Sequence, residues 1–552
     1  MSDSHAERIK QLLADAEVSV ERVEQRSFPG ERWLVVYVPT ASMVHAQSLA
    51  GELESSLNAG LSGSEIPFSL VFRPDAGVAT DEAKPIGKGR LSSPELNKLI
   101  QLVEARSRTS DALPSFQYVE DPRASLAAVA ASRHQFIYGR RGVGKTALLL
   151  EAKRLAEREG DVTVWLNAHT FRGLDAKTAY LRVAHAVFTA ILKHGGSSGA
   201  QVFAQVRQQA ERCGEALATE SLAVERATQM LPEQNVVLRN VLRKDLLRLN
   251  LYIDDFHYFP FADQPTLLDH AFGLMRECDG WLKIASIERL TRTFEPSTRV
   301  GLEIPHDASK IDLDRTLEDP GSAQEFLEHM LEYYNTEATG VGRPSAVAKR
   351  QALGRLVLAS GGVPRDYLNL FGSAILQARK ARANAQEVGG EDVVVAAGDA
   401  ARLKKRDLEQ DVASEMAGEL MDALNKISSA VKGAGFSYFR VDLLEKSKKE
   451  YEYLAQLADL RFVHLIQAAL SDQHKAGAKY EVYILDLSEY SDVRIKRGLH
   501  VLEFEAGRWY ERLTGTVGTQ KKLTGSQFRD ALRHAPLVRL DGLLCAGEEA
   551  EN

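Results

Sequence analysis

The stretch His134–Leu150, reading HQFIYGRRGVGKTALLL, constrains this chain more than any other. Gln135-Phe136-Ile137-Tyr138 predicts a short buried strand, and the apolar run that starts at Ala147 predicts a helix. Between them lies Gly139-Arg140-Arg141-Gly142-Val143-Gly144-Lys145-Thr146. Strand, glycine loop and helix in that order make a phosphate cradle. The glycines let backbone N–H groups converge on an anion, and the helix N-terminus adds its partial positive charge. Lys145 is placed to reach the outer phosphates of a nucleoside triphosphate, and the Thr146 hydroxyl to hold Mg²⁺. Gly139 to Ala147 are therefore read as an ATP/ADP-binding loop. A chance match in a glycine-rich turn is the weaker reading, because the flanking strand and helix are both present.

A second stretch, Leu249-Asn250-Leu251-Tyr252-Ile253-Asp254-Asp255-Phe256-His257, runs apolar residues straight into two carboxylates. A buried parallel strand delivers acids to its C-terminal edge in this way. Asp254 is expected to serve the Mg²⁺ held by Thr146, and Asp255 to orient the attacking water. Val162–Asn167, Trp281–Ile287 and Lys310–Leu313 read as further strands, which predicts a parallel five-stranded α/β core. Ser286 falls where a strand-end hydroxyl meets the γ-phosphate or the water. The segment Glu288–Leu302 carries Arg289, Arg292 and Arg299 beside that edge.

Around this core the chain divides. Residues 1–80 alternate like a small α+β interaction unit, 81–115 read as linker and helix, and 116–320 form the core. Helical sequence at about 195–245 is an insertion in that core. Residues 321–405 are helical, and Gly361-Gly362-Val363-Pro364-Arg365 opens one of these helices with a cation. That end of a helix disfavours a cation unless an anion faces it. Residues 406–490 read as helix, turn, helix and β-hairpin, the order of a winged helix. Its DNA-facing side is expected at Arg440, Lys446, Lys448 and Lys449, with His474, Lys475 and Lys479 on the wing. Residues 491–552 form a C-terminal extension with an acidic tail.

This series resembles the AAA+ ATPases of the origin-recognition initiator group. More closely, it is similar to their bacterial relatives, the origin-recognition-like P-loop ATPases found beside mobile-element and antiviral-defence genes. The resemblance covers about 116–488. It implies Walker A at Gly139, Gly144, Lys145 and Thr146, and Walker B at Asp254 and Asp255. Ser286 stands at the sensor 1 position, where many members have asparagine, and Arg365 at sensor 2, which joins the lid to the γ-phosphate. Arg299 matches an arginine finger given to a neighbouring subunit, with Arg289 and Arg292 as rivals. The long helical stretch before Walker B departs from the family. The resemblance implies ATP hydrolysis, self-assembly into homo-oligomers and contact with double-stranded DNA. The alternative is a slow signalling switch or scaffold that binds protein partners.

Composition narrows the setting. A chain of 552 residues exceeds what one hydrophobic core organises, and a net charge of -7 excludes a generally basic, nucleic-acid-coating protein. Cys213, Cys278 and Cys545 stand apart without pairing or metal-ligand spacing, which favours a reducing cytoplasm. No apolar stretch predicts a membrane span or a signal peptide. No nuclease, helicase or protease constellation accompanies the ATPase motifs, so any effector is expected to be a separate protein.

Overall fold

The computed structural model describes residues 3–541 apart from 17, 21, 29–30, 40–41, 43–45, 47–48, 60–67, 75–89, 107–117, 121–122, 196–199, 220–222, 340–341, 412–413, 474, 476, 492–497 and 515–519. It falls into two units, 1–86 and 87–552.

In the smaller unit, β1 (Arg22–Phe28) pairs antiparallel with β2 (Glu31–Val38), and β2 pairs parallel with β3 (Phe68–Pro74). A parallel pair needs a crossover, and the helix Ala50–Asn58 lies within it. That helix and Asp3–Asp15 set Leu53, Leu57, Ile9 and Leu13 against Leu34, Val36 and Val38, alternate residues that share one face of β2. Of the predicted linker and helix at 81–115, residues 81–89 and 107–115 lie outside the described residues.

The larger unit holds the predicted core. β4 (Gln135–Tyr138), β5 (Val162–Asn167), β6 (Leu249–Asp254) and β7 (Gly280–Ser286) are followed by a small hairpin of β8 (Phe294–Glu295) and β9 (Val300–Gly301), then by β10 (Ser309–Asp312). The five long strands are all parallel, in the spatial order β10-β4-β7-β6-β5. Every residue of β4 and β6 is buried, as helices on both faces of a parallel sheet demand. This is the parallel five-stranded α/β core expected of a P-loop fold. The helical insertion is Ala200–Ala218 and Ala223–Asp245. It packs into the core of the sheet through Val206, Cys213, Leu238 and Val241.

Helices Pro320–Thr339, Arg350–Ser360, Pro364–Ala381 and Gly390–Asp411 form the helical lid. The helix Pro94–Arg106, the helix expected within 81–115, belongs to this bundle. Its Leu96, Leu99 and Val103 share a core with Leu327, Leu331 and Phe371.

Beyond the lid come the helix Ser414–Gly433, β11 (Tyr438–Asp442), a helical turn Leu443–Ser447, and the helix Tyr451–Asp459. β12 (Val463–Ser471) and β13 (Lys479–Leu485) close an antiparallel sheet of order β11-β13-β12, compatible with a winged helix. The C-terminal extension is ordered where described. β14 (His500–Glu505), β15 (Arg508–Leu513) and β16 (Gln520–Lys522) form a third sheet, followed by the helix Gly525–His534. Isolated bridges from His500 to Phe436 and from Leu537 to Arg440 tie it to the β11 region. On the lid side, Gly354 lies against the Phe504 carbonyl so closely that any side chain there would overlap it. Arg355, buried beside it, donates to Glu391 at 2.9 Å and to Glu503 at 3.2 Å. Among the described residues, no helix is long and apolar enough to cross a membrane.

Candidate nucleotide-binding site

β4 stops at Tyr138, and the loop turns through residues that need glycine. Gly142 and Gly144 have φ of +89° and +103°, conformations that cost other residues strain. A Cβ on Gly142 would meet the Arg365 Cβ at 3.0 Å and the Val363 Cγ1 at 3.1 Å, so the lid rests directly on the loop. The Val143 side chain turns inward to join Val129, Leu148, Leu313 and Val363 in a small core. Lys145 is buried, and its Nζ donates to the Gly139 and Arg140 carbonyls at 2.7 and 3.2 Å. Burial lowers its pKa, opposed by the charges of Asp255, Asp314 and Asp254 and reinforced by Arg365. Ala147 continues the helix Lys145–Arg158 that the loop opens.

Next to the loop, β6 brings up its acids. The Thr146 hydroxyl donates to Asp254 Oδ2 at 2.7 Å, and the Asp255 N–H donates to Asp254 Oδ1 at 2.9 Å. Asp254 is 1% exposed. Burial and then the Asp255 charge push its pKa up to about 6. Asp255 takes φ of +55°, a left-handed conformation for a residue that is not glycine, and stays half-buried. A hydroxyl and a carboxylate side by side fit Mg²⁺, which takes one or two protein oxygens and fills its octahedron with phosphates and water. The described residues hold no group of three or more His, Cys, Asp or Glu that could hold a metal without the phosphates. When bound, the ion would neutralise charge on the β- and γ-phosphates.

Several residues expected at the phosphates are elsewhere. Arg140 faces away: its N–H and Nε meet Asp314 Oδ1 at 2.9 and 3.2 Å, and its Nη2 reaches the Arg315 and Gly361 carbonyls at 2.8 and 3.0 Å. It clamps the loop to the lid through Nε and Nη2. Val143 contributes no side chain either. Ser286 is 0% exposed, and its hydroxyl is shared with Thr291 at 2.5 Å. The sequence pattern located the strand end correctly but could not show that the next turn covers it.

Among the three arginines after β7, Arg289 pairs with Asp459 at 2.9 Å and Glu452 at 3.8 Å, and Arg292 pairs with Glu295. Arg299 stands exposed in the β8–β9 loop at φ +56°, paired with none of the described residues. Arg365 is exposed at the lid helix start, with its N–H on the Gly142 carbonyl at 3.3 Å.

Two neighbours were not apparent from sequence. His257, after the acid pair, has both ring nitrogens buried without a hydrogen-bond partner in the structure. Burial, then Lys145 and Arg141, lower its pKa to about 4. Arg461, from the turn before β12, donates to the Arg141 carbonyl at 3.0 Å and ion-pairs with Asp366 at 2.6 Å. Nothing in its local sequence distinguishes it from a surface arginine.

The surface expected to face DNA is corrected. Lys446 pairs with Glu481 at 2.7 Å, and Lys448 with Glu445 at 2.8 Å and with Asp541. Arg440 donates to the Ala535 carbonyl at 2.9 Å and lies over the Tyr480 ring. The helix Tyr451–Asp459 starts after these lysines and carries acids, two of which hold Arg289. Lys446 and Lys448 are thus paired, by Glu445 nearby and by Glu481 and Asp541 far along the chain. Lys449, Lys475 and Lys479 remain exposed, and His474 lies outside the described residues.

No family model and no curated protein matches the chain. Solved structures do. The Orc1 protein of Aeropyrum pernix, solved in complex with DNA, is 18% identical over 68% of this chain and 92% of that one, with a TM-score of 0.35. Cdc6p of Pyrobaculum aerophilum is 15% identical over 69% and 95%, with a TM-score of 0.32. The Walker-type ATPase PABY2304 of Pyrococcus abyssi is 12% identical over 68% and 97%, with a TM-score of 0.37. At these scores the likeness is general, and the fold assignment rests on this chain's own strand order and loop.

Proposed function

We propose that the chain binds ATP with Mg²⁺ and hydrolyses it slowly, as an initiator-like AAA+ ATPase whose nucleotide state is read by the lid and C-terminal module. The observation that carries this reading is the joint at the sheet edge. The Thr146–Asp254 hydrogen bond sits where the phosphate loop passes into its helix, and Arg365 is held over the same loop by the lid. Phosphoryl transfer needs positioning and charge more than covalent chemistry, and this set supplies both. Slow turnover is supported by Ser286, whose hydroxyl is enclosed, and by an aspartate standing where the water must be oriented. Self-assembly is supported by Arg299, exposed and unengaged by the described residues while its two rivals are tied down.

Double-stranded DNA remains the partner we favour, at a different surface. Residues 506–540 carry seven arginines and lysines against two acids in a chain of net charge -7. Arg508, Lys521, Lys522, Arg529 and Arg539 are exposed. The test is a steady-state ATPase assay with and without duplex DNA, together with a salt titration of DNA binding. Replacing Lys521, Lys522 and Arg529 by Ala should lower the log–log salt slope by about 0.9 for each phosphate that is no longer neutralised. Turnover and affinity that ignore DNA would instead favour the scaffold reading, with nucleotide retained and a protein as partner.

A further inference from the structure

We propose that Arg461, in the C-terminal module, is a positioning residue for the phosphate loop, so that the module's seating and nucleotide binding are coupled. This inference rests on the ATP-binding reading and names how that site is regulated.

The local backbone is the first observation. The helix Tyr451–Asp459 ends with the Arg461 N–H on the Ala458 carbonyl and the Phe462 N–H on the Leu457 carbonyl, at 3.0 and 2.9 Å. These are the paired bonds of a Schellman motif, and Arg461 occupies its left-handed position with φ of +64°. Glycine normally fills that position because it has no Cβ to strain. Here the side chain has a destination instead.

That destination is the second observation. The Arg461 guanidinium donates through Nη1 to the Arg141 carbonyl, inside the glycine loop, and its Nε ion-pairs with Asp366, next to Arg365 on the lid. One side chain thus joins core, lid and C-terminal module. In a trans peptide the carbonyl and the following N–H point opposite ways. Holding the Arg141 carbonyl toward the module therefore turns the Gly142 N–H to the other side. Backbone N–H groups turned inward are what this type of loop uses to bind phosphate.

The seat is also fixed from a second direction. Asp459, two residues before Arg461, accepts from Arg289 on the turn after β7. The segment 459–461 therefore bridges the phosphate loop and the neighbouring strand end. Any contact that favours the phosphate-binding form of the loop is favoured in turn by bound nucleotide, because coupling free energies are reciprocal.

The substitution Arg461→Gly separates this role from a structural one, since glycine suits the left-handed backbone. We expect Arg461→Gly to melt at or above the parent temperature while binding a fluorescent ADP about tenfold more weakly, the scale of one charge-assisted hydrogen bond. In the full-length parent, hydrogen exchange across 451–471 should slow when ADP is added, and in Arg461→Gly that response should vanish at saturating ADP. Arg461→Lys keeps the charge and the backbone strain but lacks the forked guanidinium that meets both the Arg141 carbonyl and the Asp366 carboxylate, so it should fall between the two. Parent-like affinity, or an intact exchange response, in Arg461→Gly overturns the proposal. If Arg461→Gly melts early, the decision passes to Arg461→Lys, and parent-like behaviour there overturns the proposal equally. A folded parent that binds no nucleotide removes the ATP reading itself, and shows this before any variant is made.

Discussion

Arg140 divides what the sequence suggests from what the structure shows, and Arg140→Ala tests the difference. From sequence it is one more cation in a phosphate loop. In the structure its guanidinium spends three bonds on Asp314 and on the carbonyls of Arg315 and Gly361. The side chain is 12% exposed, so solvent screens it little. Each bond from an ionised donor contributes about 1.5–3 kcal/mol, and three from one group do not add fully, so we take about 3 kcal/mol for the clamp. Asp314 keeps the Arg140 N–H, which leaves the two carbonyls as the stranded groups. If the clamp is what closes the lid start, amide exchange across 361–371 should rise by about a hundredfold through local opening, with exchange in β4 and β6 unchanged. ADP, which lacks the γ-phosphate that Arg365 is placed to meet, should bind within about threefold of the parent, a difference of less than 1 kcal/mol. Unchanged lid exchange together with a large drop in ADP affinity would refute this reasoning and return Arg140 to the phosphates.

Lys145→Ala should abolish triphosphate binding in a filter or fluorescence assay, whereas Asp255→Asn should retain ATP and stop turnover, because the Thr146–Asp254 pair survives; an Asn variant that turns over like the parent removes Asp255 from the water. Ser286→Ala should change kcat by less than about twofold and cost about 1 kcal/mol of stability, the worth of one neutral hydrogen bond; a hundredfold loss of rate would restore it to the site. Arg299→Ala should leave ATP affinity near the parent value and lower hydrolysis by about 10³-fold, the scale of an arginine supplied in trans. Mixing that variant with Lys145→Ala should recover part of the rate at concentrations where oligomers form, and no recovery there would argue against a shared site.

Motifs whose function is carried by neighbours in sequence were legible. The glycine loop and the acid pair depend on residues a few positions apart, and the five strands follow from apolar runs bounded by turns. Three features were illegible for one reason, that their partners are remote. Arg140 meets residues 174 to 221 positions away. Lys446 and Lys448 of the basic run are paired with Glu481 and Asp541, which no local count includes. Arg461 reaches back 320 positions to the loop. Ser286 failed at short range: the pattern marks a strand end, yet the Thr291 hydroxyl folds over it five residues later. The helix Pro94–Arg106 precedes the core in sequence but joins the lid in space, because the apolar face it must bury finds its match there.

The seating of Phe504 and Glu503 on the lid also sets a schedule for synthesis. Arg355 leaves the ribosome 148 residues before the buried carboxylate that it shares with the final sheet. At about 5–20 residues per second, that is an interval of roughly 7–30 seconds in which the glycine loop has been made but the lid behind it lacks its last layer. A nascent or prematurely terminated chain would thus carry every nucleotide motif and still lack the tertiary support that lets them act together. Completion of the last strands becomes a checkpoint, and a ribosome-stalled fragment should remain silent even with ATP abundant.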